Sequence, residues 1–166
     1  MKVQETNMED SKFQKYLSEA AEYHKNGYSC AESVLHTFRD KLPFALSNET
    51  MRIATCFGGQ AVGESGFCGA FSGAIMVLSL LIGRSSAQES KETAQTYSRE
   101  FGERFVNQFG SNACKPLQIH VYGSPEQKAN CRRITSTAAC MMAEFLAEKN
   151  LLPAPAVGGQ SPESKQ

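Results

Sequence analysis

Apolar residues recur at helical spacing along most of this chain, and no stretch shows the strict alternation of a half-buried strand. From Ser11 the positions Phe13, Tyr16, Leu17, Ala20, Ala21 and Tyr23 predict a first helix, ended by Asn26-Gly27. Ser29 reads as the N-cap of a second, whose apolar stripe is Ala31, Val34, Leu35 and Phe38. Ser47, with Thr50 three residues on, predicts a short third helix that carries Met51, Ile53 and Ala54 and runs out near Cys56-Phe57. Ser85-Ser86 predicts the cap of a long helix to about Gly110, with Tyr97, Phe101, Phe105 and Phe109 as its core-facing row. Ser124-Pro125-Glu126 opens a last section in which Ile134, Ala138, Met141, Met142 and Phe145 keep helical spacing and Cys131 falls at or near a helix start. The run Leu117 to Tyr122 is not assigned as a strand.

The stretch from Gly66 to Gly83, GFCGAFSGAIMVLSLLIG, is uncharged and joins a glycine-rich loop to an apolar helix. A helix apolar all round is buried on all sides, so the others are expected to wrap it. It reaches the lower limit for a membrane span, about 17 residues, only by counting its glycines and serines. The expectation is an all-α fold: a single-domain bundle of five or six helices around a buried central helix at about 69–82. Residues 1–10 read as a flexible N-terminus, 11–152 as the helical domain, and 153–166, rich in Pro, Gly and Ser, as a disordered tail.

A chain of 166 residues fits one compact domain. Basic and acidic residues balance at 17 each, so nothing points to a nucleic-acid or anionic-membrane partner. The start, MKVQETNMEDSKF, lacks an apolar signal region, which makes a cytoplasmic location the expectation. Six cysteines in an unsecreted chain of this size point to redox or metal chemistry more than to structural disulfides.

Cys30, Cys68 and Cys131 fall near predicted helix N-termini, and Cys114 falls in a loop just past a helix end. Free backbone amides and the helix dipole lower thiol pKa values at such positions, and thiolates are both nucleophiles and metal ligands. Gly66, Gly69 and Gly73 leave the backbone bare around Cys68, so that another element or a cofactor can approach. There is no Cys-x-x-Cys, which argues against a thioredoxin-type pair or a zinc ribbon, and no haem-attachment motif. No glycine-rich nucleotide motif follows a strand either. Long intervals separate the four cysteines, so only a tertiary fold brings them together.

His24, His36 and His120 share no short spacing and are not counted as ligands. Arg132-Arg133 beside Cys131 would help hold a thiolate or an anionic cluster. Cys140 follows Cys131 by nine positions, about 900° of helical rotation, which puts it on the opposite face in a packing role. Cys56 is open, because the glycine loop could fold it back toward Cys68. From the residues alone, inert buried thiols, a redox pair and a metal centre all stay open.

The order Cys30, then Cys68-Gly69-Ala70-Phe71-Ser72-Gly73, then Cys114, then Cys131 resembles the C_GCAxxG_C_C family, named for four cysteines in this order and described as redox-active. Ser29-Cys30-Ala31-Glu32-Ser33-Val34, Phe57-Gly58-Gly59 and Phe109-Gly110-Ser111 resemble it as well, and the similarity covers about Tyr23 to Leu146. The resemblance implies a small helical redox protein of prokaryotes that works with a redox partner protein. A related domain occurs in split-Soret cytochromes, where an iron–sulfur centre accompanies haems. By position, the implied ligands of such a centre are Cys30, Cys68, Cys114 and Cys131, which are also the redox-active thiols if no metal is held. The resemblance leans slightly to a bound centre. A metal-free thiol–disulfide protein, most plausibly pairing Cys68 with a partner, is the first alternative. A non-catalytic helical adaptor of a transporter or oxidoreductase is the second. Among partners, a homodimer is a further expectation beside the redox partner. If the protein is an enzyme, the implied class is oxidoreductase.

Overall fold

The computed structural model describes residues 12–58 and 66–152. The flexible N-terminus and tail expected at 1–10 and 153–166 lie outside the described residues, as does most of the glycine loop.

Among the described residues the protein is built from six α-helices: α1 (Gln14–Lys25), α2 (Cys30–Phe38), α3 (Asn48–Arg52), α4 (Gly69–Ile82), α5 (Glu92–Phe109) and α6 (Pro125–Glu148). Two short 3-10 helices, Ile53–Phe57 and Lys115–Leu117, complete it, and a single antiparallel bridge joins Phe67 to Ala113. The all-α expectation holds.

Local chemistry sets the helix ends. The Ser29 hydroxyl accepts the Glu32 amide at 3.3 Å, and the Glu32 carboxylate accepts the Ser29 amide at 2.8 Å, closing a capping box over the first turn of α2. Thr55 donates to the other Glu32 oxygen at 2.7 Å and so ties the 3-10 helix Ile53–Phe57 to the same turn. Ser47 caps α3 by accepting from the Thr50 amide at 3.2 Å. Gly110, at φ +86, ends α5 in the left-handed conformation that side chains resist.

Two expected boundaries shift. α5 begins at Glu92, not at Ser85-Ser86. Ser85 instead donates to Glu89 at 3.1 Å and Ser86 accepts from the Gln88 amide at 3.3 Å, a local turn whose side-chain bonds compete with the helix. α6 begins at Pro125, with Ser124 accepting from the Gln127 amide at 3.1 Å. Cys131 therefore sits in the second turn of α6, not at its start.

α1 packs chiefly on α6 and α2 on α4, and α4 also meets α5 and α6. The core runs through Val34, Leu35, Phe38, Val77, Leu78, Phe101, Phe105 and Phe145, all essentially inaccessible. The aromatic row of α5 faces it as expected, with Phe101 and Phe105 fully buried and Tyr97 and Phe109 at its edge. The central helix departs from expectation on one side. Gly69, Ala70, Gly73, Ala74, Val77 and Leu78 are buried, whereas Phe71, Ile75, Met76 and Leu80 are only half-buried and Ser79 is exposed. That second side lines an apolar groove of about 440 Å³, with Thr50, Ile53 and Phe57 of α3 and its 3-10 extension on the facing wall.

Candidate functional site

Cys30 is the first residue of α2, and Cys68 is the residue that precedes α4. The bridge between Phe67 and Ala113 brings Cys114 to them. The Cys68 amide donates to the Asn112 carbonyl at 2.7 Å, and the Cys114 amide donates to the Gly66 carbonyl at 2.9 Å. α6, packed on both α2 and α4, supplies Cys131. All four cysteines, with Gly69, Leu117 and Gln127 among their neighbours, line one cavity of about 30 Å³. Cys30, Cys114 and Cys131 also face a larger open cleft of about 670 Å³, in whose wall His24, Tyr122 and Lys128 stand. Cys68 does not line that cleft; it is buried and lines the small cavity.

The glycine of the motif explains why two helix ends meet here. A Cβ on Gly73 would lie 2.6 Å from the Ala31 carbonyl oxygen and 3.0 Å from the Val34 Cβ. α2 and α4 thus pack backbone to backbone one position after Cys30. Gly73 serves helix packing; Gly69 lies at the cavity wall and Gly66 at the bridge.

All six cysteines are free thiols. Cys30 and Cys131 are neighbours in the cavity wall and hydrogen-bond through their side chains. The Cys30 pKa is pushed well up, first by that hydrogen bond and then by burial. Cys131 is brought down to about 6, by the Cys30 thiol first and by Gln127 as a second donor, against the opposing effect of burial. Gln127 is itself clamped: its Nε2 reaches the Cys131 sulfur at 3.3 Å and the Leu117 carbonyl at 3.4 Å, while its Oε1 accepts the His120 amide at 3.0 Å. Gln118 donates in the same way to the Cys114 sulfur at 3.2 Å.

Cys68 corrects the expectation that a helix N-terminus favours the thiolate. Burial pushes it up to about 11, although the amides of Phe71 and Ala70 pull the other way. Desolvation outweighs the helix end at a site with 7% exposure.

His24 stands 3.6 Å from the Cys30 sulfur through its Nε2, although its spacing in the sequence gave no reason to place it there. Burial, and then the charge of Arg132, lower its pKa. Gln127 was also missed. Its signal was readable, since four residues separate it from Cys131 on one helix face once α6 is started at Pro125. His36 stacks against Tyr23 and Tyr28 instead, and His120 is exposed. Cys140 is buried in the core, with its sulfur 3.7 Å from a Glu144 oxygen. Cys56 is exposed and lines neither the cavity nor the cleft.

A cavity of about 30 Å³ holds roughly one water molecule. Among the described residues, no three Cys, His, Asp or Glu side chains converge on one metal position. The cavity that all four cysteines share is, as arranged, smaller than an iron–sulfur cluster.

Residues 28–145 match the model of a family described as "Putative redox-active protein (C_GCAxxG_C_C)". This chain belongs to that family. Comparison with curated proteins and with solved structures gives no match. The matched span carries all four cysteines of the cavity and excludes α1 up to Gly27. Among the described residues, no helix of this family member is long and apolar enough to cross a membrane.

Two consequences of the site are measurable. Gln127→Leu removes a donor to the Cys131 sulfur, so the pH midpoint of Cys131 alkylation is expected to move up by about one unit; an unmoved midpoint would show that Cys30 alone sets it. Stability is expected to fall in alkali. Cys68 and Cys140, the latter raised to about 12 by burial first and Glu144 second, keep their protons in the fold well above the unfolded thiol value. Their stabilising contribution is complete below the unfolded pKa of about 8.5 and is lost as pH rises toward 11 and 12, each at about 2 kcal/mol by pH 10. Cys131 runs the other way, and its contribution is complete above about pH 8.5, so it does not offset the loss. Cys30, also pushed up, adds to the loss. Denaturant midpoints between pH 8.5 and 10.5 check this, and Cys140→Ala should flatten the decline by roughly a third.

Proposed function

We propose that this protein is a dithiol–disulfide redox protein whose working couple is Cys131 and Cys30. What supports this reading is the pair of neighbouring, hydrogen-bonded cysteines in the wall of an open cleft, one with its pKa brought down and the other with its pKa pushed well up. Cys131, half-buried in the cleft wall, is the attacking sulfur. Its thiolate displaces one sulfur of an external disulfide and forms a mixed disulfide; the displaced thiolate takes up a proton. Cys30 then gives up its proton and attacks Cys131, releasing the second sulfur of the substrate. The substrate gains two electrons and two protons, and the protein is left with a Cys30–Cys131 disulfide. An external dithiol reverses the sequence. The redox partner is therefore a molecule, protein or small, that presents a disulfide or a dithiol to the cleft.

The test is differential labelling of the full chain before and after reduction, with peptide mapping. The reading predicts one pair, Cys30 with Cys131, that reacts only after reduction and does so at a definable potential. Six thiols labelled equally under both conditions would remove it.

The convergence of all four cysteines on one cavity supports a second reading, a bound iron–sulfur centre held by Cys30, Cys68, Cys114 and Cys131. It requires the cavity to widen and the two glutamine donors to Cys114 and Cys131 to turn. Iron and sulfide in stoichiometric amounts in anaerobically prepared protein would establish it in place of the thiol reading.

A further inference from the structure

We propose that the four cysteines form two dithiol couples in series, with Cys68 and Cys114 as an inner couple that is oxidised through the outer couple, Cys30 and Cys131. The inference rests on the thiol–disulfide reading above.

Access comes first. Cys30, Cys114 and Cys131 line the open cleft, whereas the buried Cys68 lines the small cavity that all four share. In the proposed series an external disulfide meets the cleft cysteines first, and Cys68 is oxidised by exchange with one of them.

Register comes second. Phe67 and Ala113 are bridge partners, and the flanking bonds pair Cys68 with Asn112 and Cys114 with Gly66. Cys68 and Cys114 thus lie one residue from the bridge on either side, on two segments bonded to each other, and both line the small cavity. A disulfide needs their Cβ atoms at about 4 Å.

The exchange balances internally. The Cys114 sulfur attacks one sulfur of the Cys30–Cys131 disulfide, and the other leaves and takes up a proton. Cys68 then attacks Cys114 and releases the remaining outer sulfur as a thiol. One S–S bond has broken and one has formed, two protons have passed from the inner couple to the outer, and no further oxidant is consumed. Confinement of all four sulfurs to one cavity gives this intramolecular step a high effective concentration. The outer couple is then free to accept a second external disulfide, so the chain stores four electrons in place of two.

The experiment is a time course on the full-length, reduced protein with oxidised glutathione in the absence of oxygen, read by intact mass and by disulfide mapping. Expected are a Cys30–Cys131 link first, then loss of the hydrogens of two disulfides with Cys68–Cys114 as the second link. In the C30S/C131S variant the Cys68–Cys114 link should form at least about tenfold more slowly than in the parent. If Cys30–Cys131 forms and Cys68 and Cys114 stay reduced, the series is overturned and the simpler thiol–disulfide reading stands. A Cys68–Cys114 link that forms first, or at an undiminished rate in the variant, overturns the order. A different inner pairing, such as Cys30 with Cys68, overturns the couples. No disulfide at all overturns the functional reading beneath them. The wild-type order of links needs no variant, so the outcome survives a variant that fails to fold.

Discussion

Gly73→Ala is expected to destabilise the fold by about 3 kcal/mol and to lower its melting temperature by roughly 5–10 °C. The added methyl would meet the Ala31 carbonyl oxygen at 2.6 Å and the Ala31 Cα at 3.0 Å. Both atoms belong to helix backbone, so no flexible side chain can turn aside. α2 must move off α4, and the packing of Val34, Leu35, Val77 and Leu78 between them opens with it. The gain in helix propensity from glycine to alanine, about 1 kcal/mol, recovers only part of the loss. Because Ala31 directly follows Cys30, the same movement carries the Cys30 sulfur away from its neighbours. The variant should lose the low alkylation midpoint of Cys131 along with stability. Thermal unfolding followed by circular dichroism checks the first effect. A melting temperature within a degree or two of the parent would mean that the helices are not in contact at this position.

Reduced protein titrated with iodoacetamide is expected to lose Cys131 first, with a midpoint near pH 6. The sign follows from the lowered pKa: the thiolate is present above that pH and is protonated below it. At pH 7 the thiolate fraction of Cys131 exceeds that of an ordinary thiol by about thirtyfold, and the lower basicity of the thiolate returns part of that advantage in rate. Cys68 and Cys140 should stay unlabelled until the pH approaches 11 to 12, since burial holds both as thiols. Cys30→Ala removes the first cause of the shift and should bring the Cys131 midpoint back toward the ordinary thiol range. Cys131→Ser should abolish the Cys30–Cys131 disulfide and slow exchange with an external disulfide, because the most acidic sulfur of the cleft is gone. Mass mapping of the labelled peptides at each pH is the measurement. A Cys131 that titrates in the ordinary range with Cys30 intact would remove the thiolate on which the proposed function rests.

How much was legible in the sequence depended on the range of the signal. Ser29, Ser47, Ser124 and Gly110 mark helix ends through bonds or backbone angles within one turn, and each could be read directly except for the start of α6. There Cys131 drew the eye, although Ser124-Pro125 carried the better physical signal. Ser85-Ser86 misled because serine caps turns as readily as helices, and Glu89 and Gln88 were at hand to complete a turn. The half-open side of α4 was not readable, because apolar character shows that a face avoids water but not whether a neighbour covers it.

The sequence by itself determined the helices, their periodic faces, and the order of four cysteines around a Cys-Gly-Ala-x-x-Gly motif. These depend on interactions within a turn or on identity alone. Only the tertiary structure decided that the four sulfurs share one cavity, that Cys131 and Cys30 become neighbours whose pKa values are pushed apart, and that His24 and Gln127 stand beside them. It also decided that Cys68, placed where a helix end would favour its anion, remains a thiol. Those outcomes arise from packing between residues far apart in the chain and from loss of water around them. Desolvation is a property of the assembled fold, which no single segment carries.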